Sequence, residues 1–210
     1  CSSDLGILVL SGAPTASPDD ADRAVACAIA MQQALKTVNQ QMQEWGFNDL
    51  EMGIGINSGE VVVGNIGSVK RTKYGVVGNQ VNLTYRIESY TVGGQILISE
   101  MTHRLLNVTV QTDSEQQVWP KGVAQSIIIY SIVGIGEPYN LNLTQEVDEL
   151  VPLAEPIPIR YVPLSGKHVG DQFVEATLET LSTKRAKVYY PGGNPEDIPA
   201  ALSNIKLNLF

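Results

Sequence analysis

The sequence predicts an α+β domain followed by a small all-β domain. Three observations carry this reading. Strand-like apolar runs alternate with helix-period segments as far as residue 136. From residue 159 onward only short β-like runs remain. Between them, 137–158 becomes acidic and proline-containing, with Pro152, Pro156 and Pro158, and reads as a linker.

The elements follow in order. Leu5–Leu10 is a short apolar strand, and one so central in composition suggests that sequence precedes it. Gly12-Ala-Pro14 turns the chain, and Asp19 or Asp20 caps a long amphipathic helix. Ala21, Ala24, Val25, Ala28, Ile29, Leu35, Val38 and Met42 recur at helical spacing, and Gly46 ends the helix. Leu50–Ile56 and Glu60–Gly64 flank Asn57-Ser-Gly59, a hairpin signature. Glu51, Gly53, Gly55 and Asn57 share one face of the first strand, where glycines let another backbone approach. Residues 64–73 read as a loop and 74–77 as a strand. Asn79 is expected to cap a helix running to Tyr90. Gln95–Ile98 is a strand, Ser99 caps a short helix to Leu106, and 108–110 and 126–133 are strands around Trp119-Pro-Lys-Gly122. In the tail, β-like runs are expected at 174–178, 186–190 and 205–209.

Composition excludes several function classes. The 210 residues are 43% hydrophobic and 17% charged, as in a folded protein. The net charge of −8 repels phosphate backbones, so nucleic acid is not an expected partner. Cys1 and Cys27 suggest no disulfide framework, which favours a cytoplasmic location. No signal peptide is visible, and the longest apolar run, 126–133, is far shorter than the ~20 residues that span a bilayer. His103 and His168 stand alone in sequence and read as surface histidines rather than metal ligands.

The helix from Asn79 carries the chemistry. Asn82 and Arg86 are one turn apart, so an amide and a guanidinium project from one face. Together they can hold sugar and phosphate oxygens, the Arg with paired, directional bonds. By itself, the same pair also fits a solvated polar helix face.

The surrounding run removes much of that ambiguity. Ile54-Gly-Ile-Asn-Ser-Gly59, Tyr74-Gly-Val-Val-Gly-Asn-Gln-Val-Asn-Leu-Thr-Tyr-Arg86 and Gly94-Gln-Ile-Leu-Ile98 resemble, in order and spacing, the class III adenylate/guanylate cyclase catalytic domain. The resemblance covers residues 4–136 and implies a ferredoxin-like βαβ palm. It also implies synthesis of cyclic AMP or cyclic GMP from ATP or GTP, with Mg or Mn as cofactor, in a homo- or heterodimer whose sites form between subunits. By the same resemblance Asn82 orients the ribose, Arg86 stabilises the transition state, and Lys121 reaches the terminal phosphates. Gly75 and Asn79 fall near the base, where the family usually has side chains able to select it or an Asp.

The match is weakest at the metal. The second metal aspartate is expected seven residues before Gly12, at Leu5, with Asp4 one place away. A one-place shift along a strand turns a side chain to the other face, so Asp4 serves only if a bulge re-aims it. The expectation is therefore a cyclase-family signalling domain that is catalytically impaired and does not bind the metals alone. The alternatives are a non-catalytic dimerising regulatory module, and a second-messenger receptor acting through the tail. Residues 159–210 faintly resemble a PilZ-like barrel, but Arg160 stands without the Arg-rich motif that cyclic di-GMP binding needs in that family.

Overall fold

The computed structural model describes residues 6–68, 71–120, 125–143, 151–161, 174–181, 185–189, 196–199 and 205–207. Helix α1 (Asp20–Glu44) begins and ends where the capping signals place it, and Gly46 takes the positive φ of +78° that closes it. Val25, Ala28 and Ile29 form its buried stripe. Val38 is 42% exposed, so the second half of the helix leaves the core.

That stripe packs on a mixed sheet. Its strands are β1 (Ile54–Ile56), β4 (Ile96–Ser99), β5 (Val110–Val118), β6 (Ile127–Ile135) and β7 (Leu141–Asn142). The order is β1-β4-β6-β5, with β7 also paired to β6. β1 and β4 are parallel, with Ile54 opposite Ile96 and Ile56 opposite Ile98. β4 is buried throughout because both of its faces are covered. Ile96 and Ile98 join Val25, Ile29, Ile132 and Ile135 in the core beneath α1. Leu97 points the other way and packs with Ile87, Val118 and Ile129 beneath helix α2 (Asn79–Glu88). A short helix α3 (Glu100–Arg104) follows β4, and Ser99 caps it by accepting from the Thr102 amide at 3.2 Å. One buried carboxylate, Asp22 of α1, ties down the loop after α3.

The structure differs from several sequence expectations. Residues 6–10 form no strand, and Ile7 and Val9 are exposed. An apolar run becomes a strand only where a neighbour offers a ladder for its peptide groups, and no described residue does so here. The hairpin expected across Asn57-Ser-Gly59 does not form. β1 gives its hydrogen bonds to β4, and β2 (Val62–Ser68) pairs with β3 (Arg71–Val77), from Val62 opposite Val77 to Ser68 opposite Arg71. The stretch expected as a loop, 64–73, therefore lies largely within a two-stranded ribbon. The polar stretch 111–118 is strand β5, which serves as an edge. Exposed polar side chains are what keep an edge from pairing further.

The tail contains a five-stranded antiparallel sheet, in the order β11-β10-β9-β8-β12. β9 (Val174–Leu181), β10 (Arg185–Tyr189) and β12 (Ile205–Leu207) fall where β-like runs were expected. β8 (Val151–Tyr161) and β11 (Glu196–Pro199) were not expected. β8 runs through part of the stretch read as a linker, with an irregularity between Pro152 and Ile157 that accommodates the missing amide donors. Among the described residues β11 and β12 are the two ends of this path, which does not by itself show the PilZ-like barrel of the sequence reading. No described helix is long and apolar enough to cross a membrane.

Candidate functional site

α2 starts one residue after β3. Gly78 makes the turn at φ +154°, and the Val81 amide donates to its carbonyl at 3.2 Å. Asn79 is thus the first helical residue rather than the cap, and no side chain caps this end. The tight strand-to-helix turn needs the backbone freedom of glycine at the cap position, which displaces the Asn one place inward.

The helix divides into two faces. Ile87 is fully buried, with Leu83 and Tyr90 packed beside it. Asn79, Asn82 and Arg86 are exposed. The side chains of Asn82 and Arg86 make no hydrogen bond or ion pair with another described residue, and both are free to take a ligand. Burial pushes the Tyr90 phenol above its ordinary value, and the Arg86 charge one turn away pulls it part of the way back.

Small residues bring α2 close to β1. A β-carbon at Gly55 would lie 2.7 Å from Glu88 Cα, so only glycine lets the end of α2 sit there. A β-carbon at Gly59 would lie 2.6 Å from Gln80 Cγ at the start of the helix. Between them Asn57 donates through Nδ2 to the Gln80 carbonyl at 3.2 Å and to Gln80 Oε1 at 3.0 Å. Thr84 Oγ1 also donates to the Gln80 carbonyl, at 2.8 Å. The sequence reading placed Gly53, Gly55 and Asn57 on one strand face for close approach but gave Asn57 no role of its own. Its alignment with the two glycines was the signal for one.

The other sequence candidates lie elsewhere. Gly75 is on β3, opposite Gly64, and a β-carbon there would meet only Ile66 Cδ1, at 3.6 Å. Lys121, Asp4 and His168 lie outside the described residues. His103 is half-buried and stacks on Tyr130, with ring centroids 4.4 Å apart, so it is a packing residue rather than a surface one. Among the described residues no group of three or more His, Cys, Asp or Glu side chains could hold a metal ion. These described residues do not fit a metal pair.

The profile of the adenylate and guanylate cyclase catalytic domain matches residues 6–134, well over half of the chain. The chain belongs to the adenylate/guanylate cyclase catalytic domain family. The crystal structure of the guanylyl cyclase Cya2 is 62% identical, with a TM-score of 0.64, covering 66% of this chain and 70% of that one. The adenylyl cyclase CyaB from P. aeruginosa is 32% identical, with a TM-score of 0.55, over 60% of this chain and 66% of that one. The adenylate cyclase of Anabaena cylindrica is 36% identical over 120 residues, which is 53% of this chain and 24% of that protein. Adenylate cyclase 1 of Rhizobium meliloti (strain 1021) is 26% identical over 136 residues, 64% of this chain and 20% of that protein. The chain spans about a quarter or less of these two curated relatives. Cyclases of this family generally depend on Mg or Mn. The mixed sheet with α1 on one face and α2 on the other is the cyclase architecture, and Asn82 and Arg86 stand on its second helix.

Proposed function

We propose that this chain supplies the nucleotide-holding half of a cyclase site shared between two cyclase domains. The observation that carries the proposal is the exposed pair Asn82 and Arg86, unpartnered among described residues on a helix anchored at both ends. In this reading Asn82 orients the ribose of a nucleoside triphosphate. The ribose 3′ hydroxyl gives its proton to water as its oxygen bonds to the α-phosphorus, the bond from that phosphorus to the oxygen bridging it to the β-phosphate breaks, and pyrophosphate leaves. Arg86 stabilises charge that grows on the α-phosphoryl oxygens, which is where a fixed cation lowers the barrier most. The 62% identity to a guanylyl cyclase favours GTP over ATP.

Two further features support a shared site. The β2–β3 ribbon carries Val62, Tyr74 and Val77 exposed at 68%, 64% and 49%. A concentration of exposed apolar side chains on one ribbon suits a protein partner better than water. The place where a second metal aspartate is expected holds Leu5. The chain alone is therefore proposed to be impaired, and the second domain to bring the metal carboxylates.

The test is a complementation assay. A cyclase homologue keeps its metal carboxylates but has its own helix Asn and Arg replaced by Ala, so that it is silent alone. This chain, the homologue and their mixture are each given GTP or ATP with Mn²⁺. Product is expected only in the mixture, and Arg86→Ala in this chain should lower it roughly 100-fold or more. Equal product from this chain alone would overturn the impairment. A mixture indifferent to Arg86→Ala would overturn the site.

A further inference from the structure

We infer that Asn57 is a positioning residue for the nucleotide-holding helix, setting the angle at which α2 presents Asn82 and Arg86. This rests on the proposed function of that helix. The argument begins with an imbalance. Asn57 Nδ2 makes two hydrogen bonds to Gln80, yet its Oδ1 is buried and accepts none among the described residues. An apolar side chain of the same size would leave no acceptor stranded, so packing alone does not favour Asn at this point. Its amide donors are what an apolar residue could not supply.

Those donors act at one place, the first turn of α2. The helix has no side-chain cap there. Its far end is fixed against β1 through Gly55 and Glu88. Packing through Leu83 and Ile87 and the close approach at Gly59 seat the helix without directional bonds. Asn57 adds directional bonds at its first turn by holding the backbone carbonyl and side chain of Gln80 together. Asn82 follows Gln80 by two residues and Arg86 by six. Both reach outward, where no described residue steadies them, so their placement depends on the axis of the helix. A misplacement of about 1 Å at a reacting centre can cost on the order of 100-fold in rate.

The experiment compares Asn57→Leu, Gln80→Glu and Arg86→Ala in the full 210-residue chain. Each is measured in the complementation mixture and by amide hydrogen exchange of the chain alone. Asn57→Leu should lower kcat roughly 10- to 100-fold while KM for the nucleotide stays within about threefold. Gln80→Glu keeps an acceptor for Asn57 and should stay within about threefold of the unmodified chain. Exchange in Asn57→Leu should speed up at the amides of residues 81–86, with α1 and β6 unchanged. An unchanged kcat, or exchange that quickens everywhere alike, overturns the inference. If the unmodified chain makes no product in the mixture, the proposed function fails. Selective quickening over 81–86 would then still uphold the anchoring by Asn57, and its absence would overturn it.

Discussion

At the scale of single residues, Asp22 and Arg86 have opposite roles. Asp22 is 1% exposed. Its Oδ1 accepts from the amides of Asn107 at 2.9 Å and Val108 at 3.1 Å, and its Oδ2 from Asn107 Nδ2 at 3.0 Å. Asp22→Ala removes the acceptors of two backbone donors and one side-chain donor. Stability should fall by about 2–4 kcal/mol, read from the urea midpoint. A loss below about 0.5 kcal/mol would show that water replaces the carboxylate. Arg86→Ala should change stability by less than about 0.5 kcal/mol, since the side chain is exposed and makes no described hydrogen bond or ion pair. Its effect should be confined to product formation. The sequence singled out Arg86 as a candidate because its spacing from Asn82 is local. It showed Asp22 only as an acid near a helix start, because the loop it holds lies 85 residues further along the chain.

Among the elements, α2 combines packing with the proposed chemistry. Gly55→Ala would force a methyl against Glu88 and lift the end of the helix from β1. This should cost about 1–3 kcal/mol in a denaturant melt, and mixture activity should fall with it. Tyr90 gives a pH signature. Its phenol has a raised pKa in the folded state, mainly through burial. Above about pH 10 the unfolded chain loses that proton first, so stability present below this pH declines as pH rises. Tyr90→Phe should flatten the decline in thermal midpoint between roughly pH 9 and 11. An unchanged slope would assign it to other groups. Elements with a strong local signal were legible in sequence: α1, β4 and β6 lie close to where their apolar runs put them, and α2 close to where Gly78-Asn79 started it. Pairing was less legible. Nothing local distinguishes a β1 that turns back on β2 from one that waits for β4, forty-two residues on at the Ile54–Ile96 pair. β5 was missed because an edge strand carries polar residues by necessity.

For the whole chain, β7 carries the pairing of the first sheet past residue 136, where the composition shifts. Leu141 and Asn142 extend the sheet beside β6, and Gln33 Nε2 of α1 donates to the Asn142 carbonyl at 2.9 Å. We propose that a fragment of residues 1–143 folds as a unit. Its thermal midpoint should match that of the first transition of the full chain, whereas 1–136 should melt several degrees lower, by about 4–8 °C per kcal/mol lost. Equal midpoints for the two fragments would make β7 incidental. The β2–β3 ribbon and α2 are also mechanically joined. Between the last residue of β3, Val77, and the first of α2, Asn79, stands Gly78 alone. A ribbon gripped by a second molecule therefore acts as a handle with almost no slack, and twisting it would turn the helix rather than be absorbed on the way. Under the proposed shared site, docking and substrate grip would be one event, and inserting two extra glycines beside Gly78 should separate them, leaving association intact while turnover falls.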